Sequence, residues 1–149
     1  MAKVALVLSG CGYLDGTEVQ ETVLTILALE KLGVEWQGVA LNEDQKHVVN
    51  HLNHSIDSKA SPRNILQESA RITRGNVIDL EDADSDDYDA VIFPGGFGAA
   101  KNIMDFAFVG DDTYRMNEEV IKFARAFYLS DKPAGYICIA PLMIPLVYP

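Results

Sequence analysis

Cys138 is the side chain best placed to do chemistry. It follows a short apolar segment, residues 134–137, and Ala140-Pro141 comes directly after it, where a helix is predicted to begin. A thiol at such a strand-to-helix turn projects into a crevice and faces free N–H groups, which favour the thiolate. The position therefore predicts a nucleophile. A buried, inert cysteine is the competing interpretation, because free cysteines are among the most buried residue types.

A glycine-rich loop, residues 95–98, follows another apolar segment that ends at Pro94. Glycines at a strand end let the backbone bend tightly and expose N–H groups. Gly95 and Gly96 could hold an oxyanion beside Cys138, or the loop could cradle a phosphate or be only a structural turn. The spacing matches neither a P-loop nor a dinucleotide-binding fingerprint.

Three further acidic or thiol side chains could share the same crevice. Glu18 and Glu21 lie three residues apart at the start of a predicted helix, so they share one face. A carboxyl group beside a thiol can move protons in carbonyl chemistry. The alternative is that acids are simply favoured in a first helical turn. Cys11, in the loop after the first apolar segment, could contact substrate in the crevice or act as a second redox thiol, or it is a small residue that packs a tight loop.

The histidines do not indicate a metal site or a catalytic triad. His47, His51 and His54 would form one stripe on a helix, and two such histidines can bind zinc. The zinc-protease spacing H-E-x-x-H does not occur, and the segment is polar, so surface histidines are the favoured interpretation. No metal site is expected.

Strand and helix patterns alternate along the chain, which predicts an α/β fold with an open, mostly parallel sheet and helices on both faces. A capping box at Thr17 and Gln20 predicts the start of the first helix, and Gly33 its end. The predicted strands are residues 4–8, 34–41, 77–78, 88–94 and 134–138, and the other predicted helices are residues 43–52, 62–72 and 117–129. In such sheets the loops at the carboxyl ends of the strands form the ligand crevice.

Composition bounds the function. The 149 residues suit one domain, and 48% hydrophobic residues suffice for a core. A net charge of −10 argues against nucleic acid and anionic membranes as partners. The two cysteines make no disulfide framework, no signal peptide opens the chain, and no apolar run could span a membrane, so a cytoplasmic protein is expected.

Several motifs resemble ElbB-type glyoxalase-like proteins of the ThiJ/PfpI superfamily, which have a class I glutamine-amidotransferase-like fold. They lie at residues 8–12, 15–24, 50–52, 70–75, 94–102 and 138–141. The resemblance implies a flavodoxin-like domain, usually a homodimer, that converts a small dicarbonyl, glyoxal, to glycolate without a cofactor or glutathione. It also implies that Cys138 is the nucleophile, that Glu21 (or, as the near alternative, Glu18) is the acid/base, and that the N–H groups of Gly96 and Ile139 form the oxyanion hole.

Two departures from the superfamily pattern bear on these expectations. Bulky Ile139 stands where amidotransferases have a glycine-rich turn, which argues against glutamine hydrolysis. The chain ends at Pro149, soon after Cys138, so we interpret residues 1–149 as one domain that lacks the C-terminal part of the family. No residue explains the link to isoprenoid biosynthesis that the family name carries. The alternative function is a redox sensor or stress-response protein that uses an oxidisable Cys138 without turnover.

Overall fold

Five parallel strands build the central sheet in the computed structural model, which describes residues 1–149. They are β1 (Lys3–Leu8), β2 (Glu35–Ala40), β5 (Val77–Asp79), β6 (Ala90–Phe93) and β7 (Ala134–Tyr136). Their order is β5-β2-β1-β6-β7, so β1 is central and is paired on both sides. A separate antiparallel hairpin consists of β3 (Val49–Asn50) and β4 (Ser55–Ile56). The predicted α/β fold with a mostly parallel sheet is confirmed.

Helices cover both faces of the sheet, as predicted. The five helices are α1 (Val19–Lys31), α2 (Ile65–Thr73), α3 (Phe106–Val109), α4 (Glu118–Leu129) and α5 (Ile144–Val147). Successive β1 side chains point to opposite faces. Ala5 and Val7 join the buried cluster formed with α4, whereas Leu6 and Leu8 pack with Leu29 of α1. The continuous apolar run of β1 is therefore explained by burial on both faces.

The two sides of the sheet are buried to very different extents. The side of α4 holds 18 buried core residues, including Phe93 and Phe127, and the side of α1 holds four. Three apolar side chains of α1 are exposed: Val23, Leu24 and Leu27.

The segment between β2 and α2 is where the predicted secondary structure is wrong. Residues 43–52 do not form a helix; they run irregularly into the β3–β4 hairpin. Asparagine side chains stabilise turns here: Asn50 Oδ1 accepts from Leu52 N at 2.9 Å, and Asn53 Oδ1 accepts from Ser55 N at 3.0 Å. Asn side chains that bond the backbone two residues on favour turns over helix. The predicted histidine stripe therefore does not exist.

The start of α1 also differs from the prediction. Glu18, not Thr17, is the N-cap, and its carboxylate accepts from Glu21 N at 2.6 Å. Thr17 is buried instead, and its Oγ1 accepts from Ser9 N at 2.6 Å. At the other end of the helix Gly33 has the predicted left-handed backbone, with φ of +68°.

The strand order determines where a site can form. Because β1, β6 and β7 are neighbours and parallel, their carboxyl ends meet at one edge of the sheet. The loops that follow these strands contain residues 9–17, 94–98 and 137–139. These loops hold five of the seven candidate residues, and Glu18 and Glu21 follow the first loop at the start of α1. The topology therefore brings together positions that are far apart in the sequence.

Candidate active site

Cys138 occupies a sharp turn after β7. Its φ is +58°, a left-handed conformation that non-glycine residues seldom adopt and that costs about 1–2 kcal/mol. Ile137 N donates to Phe93 O at 3.0 Å, and Ala140 N donates to Ile137 O at 3.0 Å, so the turn is fixed on both sides. The residue is exposed at the edge of the sheet. This is the geometry of an exposed nucleophile, and it argues against an inert core cysteine.

The Glu21 carboxylate faces Cys138 from the first turn of α1. Its Oε2 accepts from Gly95 N at 2.8 Å. A Cβ built on Gly95 would lie 2.8 Å from that oxygen and 2.6 Å from Cys138 Cβ, so the carboxylate lies beside the thiol. Two elements thus hold Glu21 in place: the helix that carries it and the glycine loop after β6. The structure brings together the thiol and the carboxylate that the sequence analysis proposed as nucleophile and acid/base.

The pKa of Cys138 is raised, contrary to the expectation of a stabilised thiolate. Desolvation is the largest cause, followed by the hydrogen bond to Glu21 and its negative charge, and these outweigh the amides of Ile139 and Gly96, which lower the pKa. The expected helix dipole is weak because only a 3-10 turn, Ala140–Met143, and the four-residue α5 follow the cysteine. The thiol is therefore protonated at neutral pH, next to a carboxylate that can accept its proton.

Two backbone N–H groups, those of Gly96 and Ile139, belong to the surroundings of the Cys138 thiol and lower its pKa. The other amides of the glycine loop are already engaged: Gly95 N donates to Glu21, Phe97 N to Tyr13 O at 2.7 Å, and Gly98 N to Gly16 O at 2.8 Å. A phosphate cradle needs several free amides, so that interpretation fails. Gly95 also differs from its predicted role, because its N–H holds Glu21 and is not free for an oxyanion.

The glycine loop is packed directly against the loop after β1. Gly96 has φ of +96°, and a Cβ built on it would lie 2.5 Å from both Glu18 N and Gly16 O. Glu18 N also donates to Gly95 O at 3.0 Å. The close approach of these backbones explains why glycine is required at this position.

Replacing Gly96 with Ala is expected to lower turnover by about 10²-fold, because the new methyl group pushes the two loops apart and moves one of the two N–H donors. The matched control is Gly75→Ala, where φ is +89° but a Cβ would meet nothing within 4 Å. That variant carries only the backbone penalty, about 1–2 kcal/mol, and keeps its turnover. Steady-state kinetics and thermal unfolding measure both variants. Equal kinetics for the two variants would contradict the assignment.

Glu18 takes a positioning role in this geometry. Its carboxylate caps α1 by accepting from Glu21 N, and it is not among the groups that act on the Cys138 sulfur. Of the two acidic candidates, only Glu21 reaches the thiol. Glu18 instead fixes the helix turn from which Glu21 projects.

Cys11 lies apart from the Cys138 cluster. It is half-buried, and burial, followed by the negative charge of Glu68, raises its pKa. The other charges that act on it come from Arg71, Asp15 and Arg63, so it faces α2 and the segment before that helix. The predicted substrate-binding role of Cys11 is therefore not supported by its position, and the packing interpretation fits better.

The histidines belong to the region of the β3–β4 hairpin and not to the surroundings of the Cys138 thiol. His51 Nε2 accepts from Leu14 N at 3.3 Å and lies 3.9 Å from Asp15 Oδ1, which links the β3–β4 hairpin to the loop after β1. No histidine is among the groups that shift the pKa of Cys138. No group of three or more His, Cys, Asp or Glu side chains is arranged to hold a metal ion, and none of the helices has the length and apolar character to cross a bilayer.

A buried asparagine that the sequence analysis missed ties the crevice loops together. Asn102 Nδ2 donates to Ser9 O at 2.9 Å and to Asp15 O at 3.0 Å, and its Oδ1 accepts from Lys46 N at 2.9 Å. It lies in a π-helical turn, Ala99–Ile103, directly after the glycine loop. The sequence gives no signal that singles it out, because Asn102 follows charged Lys101 in a segment of mixed polarity.

Replacing Asn102 with Ala should reduce the free energy of unfolding by about 2–4 kcal/mol, because it leaves two carbonyl groups and one amide without partners. Asn76→Ala is the control, since exposed Asn76 makes a single bond to Trp36 O at 2.9 Å. Its loss should cost about 0.5–1.5 kcal/mol. Urea unfolding followed by circular dichroism gives both values. Similar destabilisation in the two variants would show that Asn102 does not tie the loops.

Known proteins resemble this sequence over nearly its whole length. The DJ-1/PfpI family matches residues 3–145. The human glutamine amidotransferase-like class 1 domain-containing protein 3, mitochondrial, is 46% identical over 142 residues, which cover 95% of this chain and 52% of that protein. The ES1 protein homolog, mitochondrial, of Rattus norvegicus is 45% identical, with 95% and 53% covered. The chain thus spans about half the length of these curated relatives.

The expectation of a cytoplasmic protein is wrong, since both curated relatives are named as mitochondrial proteins. That expectation depended on two unpaired cysteines and on the lack of a secretory signal. Unpaired cysteines exclude oxidising compartments but do not distinguish the cytosol from other reducing ones.

A solved structure agrees with the sequence matches. An isoprenoid biosynthesis protein with an amidotransferase-like domain, from Ehrlichia chaffeensis, superimposes with a TM-score of 0.90 at 37% identity, covering 99% of this chain and 66% of that one. The fold, the exposed cysteine after β7 and a family match over residues 3–145 agree with one another. The chain therefore belongs to the DJ-1/PfpI family.

Proposed function

We propose that this chain acts as a cofactor-free, glutathione-independent glyoxalase of the ElbB type that converts glyoxal to glycolate. The observation that carries the proposal is the pairing of the Cys138 thiol with the Glu21 carboxylate, beside two backbone N–H donors. A nucleophile, a base within reach of its proton and an oxyanion site are the parts that thiol addition to a carbonyl needs.

The first step is addition of the thiol to one aldehyde. The sulfur forms a bond to the aldehyde carbon while the thiol proton moves to the neighbouring Glu21 carboxylate. The carbonyl oxygen becomes an alkoxide that accepts from the N–H groups of Gly96 and Ile139. The raised pKa of Cys138 fits this step, because a protonated thiol needs a base at the moment of attack.

The second step moves a proton between the two carbons. Glu21 first passes the thiol proton to the alkoxide, which gives a hemithioacetal and restores the carboxylate. It then removes the hydrogen of the former aldehyde carbon and returns a proton to the neighbouring carbon through an enediol intermediate. One carbon is oxidised and the other is reduced, so no external oxidant or reductant takes part. The resulting thioester is hydrolysed by water, which releases glycolate and restores the thiol.

Glutamine hydrolysis is a poorer fit to this site, although both the human and the Ehrlichia relatives carry the words amidotransferase-like in their names. The Cys138 sulfur has a carboxylate partner and no histidine partner. Release of an amine in acyl transfer needs a general acid beside the nucleophile, the part that histidine plays in catalytic triads.

Redox sensing without turnover is the alternative function for Cys138. Oxidation by peroxide proceeds through the thiolate, and the negative charge of Glu21 disfavours the thiolate here. The site therefore favours turnover over sensing. Selective oxidation of Cys138 by low peroxide, seen in the intact mass, together with undetectable glyoxal turnover, would reverse this preference.

Proton NMR tests the proposal directly. The expected result is loss of glyoxal with formation of an equal amount of glycolate, without glutathione or added metal. Glyoxal that disappears no faster than in buffer alone would overturn the proposal. The homodimer that the resemblance implies stays a prediction, which sedimentation equilibrium of the same sample would test.

A further inference from the structure

Polar side chains fasten the β3–β4 hairpin to the loop after β1. Asp15, a buried carboxylate of that loop, accepts through Oδ2 from Val49 N of the hairpin at 2.8 Å. In the opposite direction, His51 of the hairpin accepts through Nε2 from Leu14 N of the loop at 3.3 Å. The hairpin has only two residue pairs of its own, and a lone two-stranded hairpin is marginally stable. These contacts therefore set its position against the loop.

The partners of His51 determine which form of the imidazole ring can make these bonds. Nδ1 lies 3.0 Å from Val49 O, and a carbonyl oxygen only accepts, so Nδ1 carries the proton. Nε2 faces Leu14 N, which only donates, so Nε2 carries none. The ring in this structure is therefore neutral. A protonated ring donates from both nitrogens and cannot accept from Leu14 N.

A protonated His51 ring would turn towards Asp15, and the loop leaves little room for this. Asp15 Oδ1 lies 3.9 Å from His51 Nε2, beyond hydrogen-bond distance until the ring moves. A Cβ built on Gly12 would lie only 2.7 Å from His51 Nε2, so the ring packs against the backbone of the loop. The Tyr13 ring lies edge-on to it, with 5.5 Å between the ring centres. A turn of the ring therefore displaces the loop.

The loop after β1 also holds the glycine loop that carries the Gly96 N–H. Tyr13 O accepts from Phe97 N at 2.7 Å, and Gly16 O accepts from Gly98 N at 2.8 Å. Both donors lie within two residues of Gly96. A displacement of the loop after β1 is therefore passed directly to the Gly96 N–H.

We infer that His51 is a positioning residue: its neutral ring holds the loop after β1, and through that loop the Gly96 N–H, in the place that turnover needs. Protonation of His51 releases Leu14 N, displaces the two loops and lowers turnover. Imidazoles gain a proton between about pH 8 and about pH 5, so the fall occurs on the acidic side of neutral pH. The inference depends on the proposed function, in which the Gly96 N–H is an oxyanion donor.

The groups that face the His51 ring from the loop are the Asp15 carboxylate and the Tyr13 phenol. Because Asp15 is buried, its charge is weakly screened, and it attracts a protonated ring away from Leu14 N. Lys101 and His47 also interact with the Asp15 charge. The other titratable group of the hairpin is His54, whose Nε2 lies 3.4 Å from the Tyr13 hydroxyl.

The pH dependence of glyoxal turnover in His51→Gln tests the inference. Glutamine can still accept from Leu14 N through Oε1, but it gains no proton in this pH range. The measured quantity is the ratio of kcat/KM at about pH 7.5 to kcat/KM at about pH 5.5. We expect this ratio to be about tenfold smaller in His51→Gln than in the unmodified chain, because a small displacement of a catalytic group lowers the rate steeply. Cys138 and Glu21 are the same in both chains, so equal ratios would overturn the inference.

His54→Gln is the matched control, because it makes the same change on the same hairpin. The partner of His54 is the Tyr13 hydroxyl, which can donate or accept, so this contact survives protonation of His54. The ratio for His54→Gln should therefore equal that of the unmodified chain. A ratio lowered as far as in His51→Gln would overturn the specific role of His51.

Backbone amide shifts, which need no substrate, separate this inference from the proposed function. As the pH falls, the amides of Phe97 and Gly98 should shift together with the His51 ring protons, and these shifts should be lost in His51→Gln. Such coupled shifts without glyoxal turnover at any pH would support positioning by His51 and overturn the glyoxalase. Glyoxal turnover with Phe97 and Gly98 amides that His51→Gln leaves unaffected would overturn the inference and leave the glyoxalase standing.

Discussion

Glyoxal turnover falls by roughly 10³-fold or more when Cys138 is replaced with Ser. A serine hydroxyl at this position is a far weaker nucleophile than the thiol, because it gives up its proton far less readily. The substitution changes one exposed atom at the edge of the sheet, so the fold is expected to survive. Glycolate formation followed by proton NMR measures the loss, and thermal unfolding checks the fold.

Cys11→Ser is the matched control for this prediction. It makes the same change at the chain's other free cysteine, which is half-buried and faces α2. Turnover should persist in this variant. Equal losses in the two variants, or turnover that survives in Cys138→Ser, would remove Cys138 as the nucleophile.

Replacing Glu21 with Gln should have two opposite effects on the site. Turnover falls by about 10²–10⁴-fold, because the proton acceptor is lost. Alkylation of Cys138 by iodoacetamide at neutral pH becomes several-fold faster, because the variant removes the negative charge that helps to raise the thiol pKa. Thiolates are the alkylated species, so a lower pKa means more reactive sulfur at pH 7.

The pH dependence of alkylation shows in which direction the Glu21 carboxylate shifts the pKa of the Cys138 thiol. For the unmodified chain the rate should rise with pH and level off only above the pKa of a free thiol, about 8.5, since the pKa of Cys138 is raised. For Glu21→Gln the same curve should shift to lower pH. Glu18→Gln is the control, because Glu18 does not act on the sulfur and glutamine can still cap α1. An unshifted Glu21→Gln curve would show that the carboxylate does not face the thiol.

Much of the site could be predicted from the sequence, because the loops that follow neighbouring parallel strands lie at the same edge of the sheet. Once β1, β6 and β7 are identified as strands, their following loops must meet, and Cys138 and Gly96 come together. Predicting the position of Glu21 also requires knowing that α1 begins at the same edge of the sheet. The resemblance to a known family supplied the choice between Glu21 and Glu18, which spacing alone left open.

The features that were missed depend on contacts between distant residues. The sequence around Cys138 predicts a lowered pKa if a long helix follows, but a short turn follows and a carboxylate from α1 approaches. The sequence predicts a helix where the β3–β4 hairpin lies. The two strands of the hairpin have only two residues each, which is too few for the alternating pattern that indicates a strand. Asn102 gives no local signal of the three loops that its side chain joins.

The bonds between the two loops beside the thiol also predict how the site moves. Glu18 N bonds Gly95 O, Phe97 N bonds Tyr13 O, and Gly98 N bonds Gly16 O. Breaking one of these bonds requires separating both loops, so the three amides should exchange with deuterium slowly and at similar rates, as one cooperative unit. The groups that surround the sulfur would then be in place before any substrate arrives, and binding would require little rearrangement of the chain.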